Sequence, residues 1–301
     1  MSCISVNSLT KYYGSFKALD GISFDVEYNT VFGFLGPNGA GKTTTIKILT
    51  TLIKPSSGSA TILGYDLLKD SSIIRSKIGI VQQKPSLENN LTVRRSLDIY
   101  GMLWGVPKHV RSDRIEHLLD VFGLDEVSNT RTDELSIGQK RRLQVAREFM
   151  HDMELLFLDE PTVGMDPSAR RGLLDYIKKR VRDGLTVFYT THIMEEAEYL
   201  CDKIAIINKG RLIALDSPQT LKNRYGGVKK VEIKLREPLD GMANIFNNVE
   251  VYDNTIRIVS DNAEEILGEL IQKLYTNNIH IESLEVMPPT LEEIFLSMIE
   301  R

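Results

Sequence analysis

Short apolar runs punctuate the first two-thirds of the chain, at residues 31–35 (Val-Phe-Gly-Phe-Leu), 155–158 (Leu-Leu-Phe-Leu), 186–189 and 204–207. Runs that are apolar at odd and even positions alike fit strands buried on both faces, as in a parallel sheet covered by helices. Between them the spacing of apolar residues predicts helices near 42–53, 92–104, 110–122, 138–151, 168–182 and 193–200. Asp166-Pro167 offers an N-cap followed by proline at the first helical position, and Ser217-Pro218 repeats that signal. Strands alternating with helices predict an α/β layered domain.

Past Tyr225-Gly226-Gly227 the period changes. Val231, Ile233 and Leu235 alternate with Glu232 and Lys234, which predicts a half-buried strand. Val249/Val251 and Ile256/Ile258 alternate likewise around Asp253-Asn254, a hairpin signal. Asp261 with Glu264 has the form of a capping box before the helical stripe Ile266, Leu267, Leu270, Ile271, Leu274. Ile279 and Ile281 open another strand, Pro288-Pro289 ends it, and Thr290 with Glu293 caps a last helix. With a weak helix at 242–246, the order is β-α-β-β-α-β plus a tail helix, which resembles the ferredoxin-like split βαβ arrangement. The expected domains are 1–224 and 225–301.

Composition narrows the class. The 301 residues are 42% hydrophobic and 26% charged, ordinary for a folded globular chain. No stretch of 18 consecutive apolar residues exists, so no helix is expected to span a bilayer. The first residues turn polar at once, which argues against a secretory leader. Two cysteines, Cys3 and Cys201, fit a reducing compartment. A net charge of -4 gives no bulk attraction to nucleic acid.

Two motifs carry chemistry. Gly36-Pro37-Asn38-Gly39-Ala40-Gly41-Lys42-Thr43 matches G-x-x-x-x-G-K-[ST], after a predicted strand and at the start of a predicted helix that continues through Thr44. Glycines let the backbone wrap a phosphate with N–H groups inward, and the helix N-terminus adds partial positive charge. Lys42 can reach the outer phosphates of ATP, and the Thr43 hydroxyl can ligate Mg²⁺. The strand 155–158 runs into Asp159-Glu160, at the sheet edge where open α/β sheets bind ligands. Asp159 suits Mg²⁺ and Glu160 suits a general base acting on water.

Leu135-Ser136-Ile137-Gly138-Gln139 resembles the signature, usually L-S-G-G-Q, of ATP-binding-cassette ATPases. In that resemblance Gln83 is the Q-loop glutamine, reaching the γ-phosphate and Mg²⁺. Asp166, in Pro161-Thr162-Val163-Gly164-Met165-Asp166, is the D-loop aspartate. His192 is the switch histidine, and Tyr13 stacks on adenine. The motifs follow the family order over residues 4 to about 220. The implied fold is a P-loop NTPase cassette with an antiparallel β subdomain and a helical subdomain, followed by the small α+β ferredoxin-like domain. The stretch 135–167 and the C-terminal Leu291-Glu292-Glu293-Ile294-Phe295-Leu296 resemble the drug-resistance and ABC-2 exporter branch.

The resemblance implies an ATPase in which two cassettes, as a homodimer or pseudo-dimer, sandwich ATP. The phosphate loop of one would face the signature of the other, where Ser136 and Gly138 contact the triphosphate; Gln139 and Asp166 are counted with the nucleotide-binding residues. It also implies a separate transmembrane permease, docked near Gln83 and the helical subdomain, and a place on the cytoplasmic face of the cell membrane. The substrate, read by the permease, is not legible here. The alternative is a soluble cassette ATPase of translation or DNA repair, disfavoured by a single phosphate loop and no heptad run. Departures from the family pattern are Ile137 for glycine, Gln82 for the frequent proline and Met165 for leucine. Lys140-Arg141-Arg142 is read as a possible dimer or partner surface, Lys178-Lys179-Arg180 with Arg182 as a solvated helix face, and Cys201 as a small buried hydrophobe.

Overall fold

The structure, a computed structural model, describes residues 2–84, 86–225, 229–237, 250–260, 263–287 and 290–299. It forms two compact units, one ending at Asp216 and the other beginning at Ser217.

In the first unit β1 (Ser2–Tyr13) and β2 (Phe16–Glu27) pair as a long antiparallel hairpin. β3 (Val31–Leu35) leads through the glycine-rich loop into α1 (Lys42–Leu49). β4 (Ser57–Ile62), β5 (Tyr65–Asp66), α2 (Ser71–Lys77) and β6 (Ile78–Val81) follow. Three helices come next, α3 (Val93–Leu103), α4 (Lys108–Val121) and α5 (Ile137–Glu148). The unit closes with β7 (Leu155–Asp159), α6 (Pro167–Arg182), β8 (Thr186–Thr190), α7 (Met194–Leu200), β9 (Lys203–Asn208) and β10 (Arg211–Asp216).

Two sheets share a core. One has the order β2-β1-β4-β5, the other β10-β9-β3-β8-β7-β6. In the second, β9, β3, β8, β7 and β6 are parallel, and β10 closes the edge antiparallel to β9. The all-buried strands β3, β7 and β8 explain the continuous apolar runs of the sequence. Phe24 of the antiparallel sheet stacks on Phe32 at 5.3 Å, and Phe34, Phe157 and Phe188 complete the ring cluster. Each buried phenylalanine contributes about 1.5–3 kcal/mol, so this cluster is a main tie between the sheets. α1 ends at Leu49, short of the expected 53, because Thr50 Oγ1 donates to Ile46 O at 2.7 Å and Thr51 turns left-handed at φ 61.

The second unit begins with α8 (Pro218–Tyr225), whose N-terminal Thr220 amide donates to Ser217 Oγ at 3.1 Å. The expected boundary at 224 therefore falls too late, since α8 packs against the last helix, α10 (Leu291–Ile299). Between them lie β11 (Lys229–Leu235), β12 (Glu250–Tyr252), β13 (Thr255–Ser260), α9 (Ala263–Thr276) and β14 (Ile281–Met287). The sheet order is β12-β13-β11-β14, antiparallel throughout, so β13 is inserted between β11 and β12 as a split βαβ unit requires. Leu270 and Leu274 of α9 cover Val231, Ile233, Ile256 and Ile258. Thr290 and Glu293 cap α10 reciprocally, at 3.2 and 2.8 Å. The expected helix at 242–246, the Asp261 cap and Pro288-Pro289 lie outside the described residues.

Candidate nucleotide-binding and hydrolysis site

Parallel strands put their carboxyl ends on one edge. The order β3-β8-β7-β6 therefore brings together the glycine-rich loop, His192, Asp159-Glu160 and Gln83, which are far apart in sequence. Glycine is required at two points of the loop. A Cβ on Gly36 would lie 2.4 Å from the Ile207 carbonyl oxygen, and Gly41, the residue before α1, has φ 114 with Leu19 2.7 Å from where a Cβ would stand. Ala40 N–H closes the turn on Pro37 O at 3.1 Å, while Asn38 and Gly39 are exposed at its tip.

Lys42 is buried and folds back along the loop. Its ammonium donates to Gly36 O at 2.6 Å and Pro37 O at 3.2 Å, and stands 3.9 Å from Glu160 Oε1. Burial lowers its pKa, opposed by the charges of Glu160 and Asp159. Thr43 Oγ1 donates to Asp159 Oδ2 at 3.1 Å, and Thr190 Oγ1 donates to Asp159 Oδ1 at 2.6 Å. Thr44 follows in the first turn of α1.

Glu160 has a left-handed backbone, φ 49, a conformation rare for a residue with a side chain. Its N–H donates to Thr190 O at 3.0 Å and Thr190 Oγ1 at 3.1 Å. Its carboxylate, nearly buried, accepts from Gln83 Nε2 at 3.3 Å and lies 3.4 Å from His192 Nδ1. Lys42, Thr43, Gln83, Asp159, Glu160 and His192 thus form one contiguous set.

Tyr13, Ser136, Gly138, Gln139 and Asp166 make their contacts elsewhere. Ser136 caps α5: its hydroxyl accepts from Gln139 N–H at 3.2 Å, and Gln139 Oε1 accepts from Ser136 N–H at 2.9 Å. Ile137 occupies the first position of α5 in ordinary helical backbone, with its side chain 72% exposed, so isoleucine fits there without strain. Gly138 is packed so closely that a Cβ would lie 2.8 Å from Gly164 O. Asp166 caps α6, accepting from Ala169 N–H at 2.9 Å, and that bond lowers its pKa. Tyr13 ends β1 half exposed, with Lys11 Nζ 5.3 Å from its ring centre.

Three features escape sequence reasoning. The expected surface run 140–142 does not stay outside: Arg141 is 2% exposed and turned into the site. Arg142 donates to the carbonyls of Phe122 and Gly123, both at 2.9 Å. Glu196 is buried and accepts from Tyr189 and Thr191 hydroxyls at 2.7 and 2.8 Å, while Thr191 Oγ1 accepts from Ile193 N–H, which fixes the backbone on either side of His192. Cys201 is buried as expected, and burial raises its thiol pKa.

A glycine-rich phosphate loop on β3, paired carboxylates on β7 and a glutamine and histidine on flanking strand ends define a P-loop ATPase. Residues 19–163 match the family described as ABC transporter, and residues 217–299 match ATP-binding protein DrrA1-3-like, C-terminal domain. The linearmycin resistance ATP-binding protein LnrL of Bacillus subtilis (strain 168) is 34% identical over 99% of this chain and 98% of its own length. Nod factor export ATP-binding protein I of Burkholderia pseudomallei (strain 1710b) is 34% identical over 99% and 97%. A solved structure of the ATP-binding subunit of an ABC transporter superposes with a TM-score of 0.70 at 28% identity, covering 75% of this chain and 94% of that one. The chain belongs to the ATP-binding subunits of ABC transporters, in the exporter-type branch with a DrrA-like C-terminal domain, and is an ATPase. No helix among the described residues is long and apolar enough to cross a membrane.

Proposed function

We propose that the contiguous set around Glu160 hydrolyses ATP between two cassettes and thereby drives a separate membrane permease from the cytoplasmic face. The observation that carries this reading is the meeting of Lys42, Gln83 and His192 on one nearly buried carboxylate, Glu160. Lys42 binds the outer phosphates of ATP, with the amides of Gly36–Lys42 and Thr44 around them, and Tyr13 stacks on the base. Glu160 takes the proton of the attacking water, and His192 and Gln83 hold the γ-phosphate side of the site.

Thr43 Oγ1 and Asp159 Oδ2, two hard oxygen ligands 3.1 Å apart at a phosphate loop, fit Mg²⁺, and Gln83, bonded to the adjacent Glu160, would be a third ligand. When bound, the ion would offset triphosphate charge. Ser136, Gly138, Gln139 and Asp166, at two helix N-termini, serve the ATP of the partner cassette, where N–H groups and helix dipole favour anions. By likeness to relatives named for linearmycin resistance and Nod factor export, the cargo is exported, a drug, lipid or related substrate.

Glu160→Gln tests the reading. Turnover should fall by about 10²–10⁴-fold while ATP still binds, and the ATP-bound dimer should accumulate on size exclusion. Hydrolysis at the unaltered rate would remove Glu160 as the base. Purification with a polytopic membrane protein tests the permease.

A further inference from the structure

Arg141 makes a set of contacts that the site's chemistry leaves unexplained. Its guanidinium, 2% exposed, meets five main-chain carbonyls. Nε donates to Pro161 O at 3.0 Å; Nη2 donates to Asp159 O at 2.6 Å and Glu160 O at 2.8 Å. Nη1 donates to Gln82 O, to Gln83 O at 3.2 Å and to the Gln144 side chain at 2.6 Å. Gln144 in turn donates to Gln82 O at 3.1 Å. These carbonyls cluster at the ends of β6 and β7, the last residue of β7 being Asp159, and buried carbonyls there require donors.

We propose that Arg141 is a positioning residue for ATP hydrolysis: it locks the Gln83 loop and the left-handed backbone of Glu160 to α5, the helix that Ser136 caps. The Glu160 backbone is held from two sides, its N–H by Thr190 and its C=O chiefly by Arg141 at 2.8 Å, with the Val163 N–H at 3.4 Å beside it. Release of the second hold lets the backbone relax toward ordinary φ, and rotation there swings the carboxylate away from Gln83 and His192. One residue type suits the task. A planar fork of five N–H groups spans carbonyls from two chain segments, whereas a lysine ammonium serves one locus. Burial pulls the guanidinium pKa down to about 10, against the charges of Asp159 and Glu160, so the cation persists at neutral pH. Since α5 also carries the Ser136 cap, any tilt of α5 at its N-terminus is delivered through Arg141 to the residues around the γ-phosphate.

Full-length Arg141→Lys, Arg141→Gln and Gln144→Leu chains test this by ATP turnover, ATP affinity and thermal midpoint. Expected is a kcat loss of about 10- to 100-fold in the Arg141 variants, smaller for Gln144→Leu, with Kd for ATP within about threefold of the unaltered chain. Unchanged kcat in a folded variant, affinity lost in step with kcat, or failure of all three chains to fold overturns the inference. The inference rests on Glu160 as base, and a double-mutant cycle separates the two. Glu160→Gln alone at the unaltered rate overturns the base reading. A slow Glu160→Gln chain that loses a further full factor on adding Arg141→Lys overturns the positioning role, because a residue acting through Glu160 adds less than about threefold there.

Discussion

The Lys42 ammonium stands 3.9 Å from the Glu160 carboxylate, with both side chains less than a tenth exposed. This buried cation is the loop's charge facing two carboxylates, and it is the group best placed to receive the negative phosphates. Lys42→Ala should weaken ATP binding by about 10- to 100-fold, the worth of one charge-assisted contact. Isothermal titration with ATP measures it; unaltered affinity would contradict the role assigned to the loop.

Ser136 caps α5, and one substitution can separate that observed task from the proposed contact with the partner's ATP. Aspartate is as good an N-cap as serine, so Ser136→Asp should hold thermal stability within about 0.5 kcal/mol. It also sets a negative charge where the partner's ATP phosphates would arrive. The Glu160→Gln/Ser136→Asp chain should therefore stay monomeric with ATP on size exclusion, while the Glu160→Gln chain dimerises. A dimer in both would exclude Ser136 from the interface.

His151 makes the cassette's stability depend on pH. Burial pushes its pKa down from 6.5 to about 4, with Asp152 and the peptide groups of Ile78 and Glu148 opposing and Arg114 assisting. The unfolded chain therefore binds a proton below 6.5 that the folded chain refuses until about pH 4. Stability contributed by the neutral ring is present above that window and lost as pH falls through it, by at most about 3 kcal/mol. His151→Phe keeps a ring against Trp104 and removes this loss. Urea midpoints followed by circular dichroism between about pH 4 and 7 should fall less steeply for the variant; parallel curves would refute the assignment.

The parallel sheet was legible because β3, β7 and β8 are buried on both faces, which writes an unbroken apolar run. The β1–β2 hairpin and β4 were not legible from periodicity. Register shifts at Val6/Leu9, Leu9/Lys11 and Lys11/Tyr12 interrupt the alternation on which strand reading depends. At the site, Lys42, Asp159 and Glu160 were found through short motifs that keep chemistry adjacent in sequence. Arg141 was missed because nothing local separates an inward arginine from the surface cations beside it; only the meeting of β6 and β7 ends with α5 gives it partners. The boundary at 224 was misplaced for a related reason, since the affiliation of α8 is decided by α10, some seventy residues later.

Trp104 is the single tryptophan of the chain, and its ring lies parallel to His151 at 3.9 Å between centroids, an interplanar angle of 3°. Trp104 closes α3, whereas His151 follows the end of α5, so the stack bridges two separate helices. Imidazole rings quench indole emission at this range, more strongly once protonated. The protein thus carries its own optical gauge: any parting of α3 from α5 brightens a lone chromophore, with no label attached and no other indole to obscure the signal.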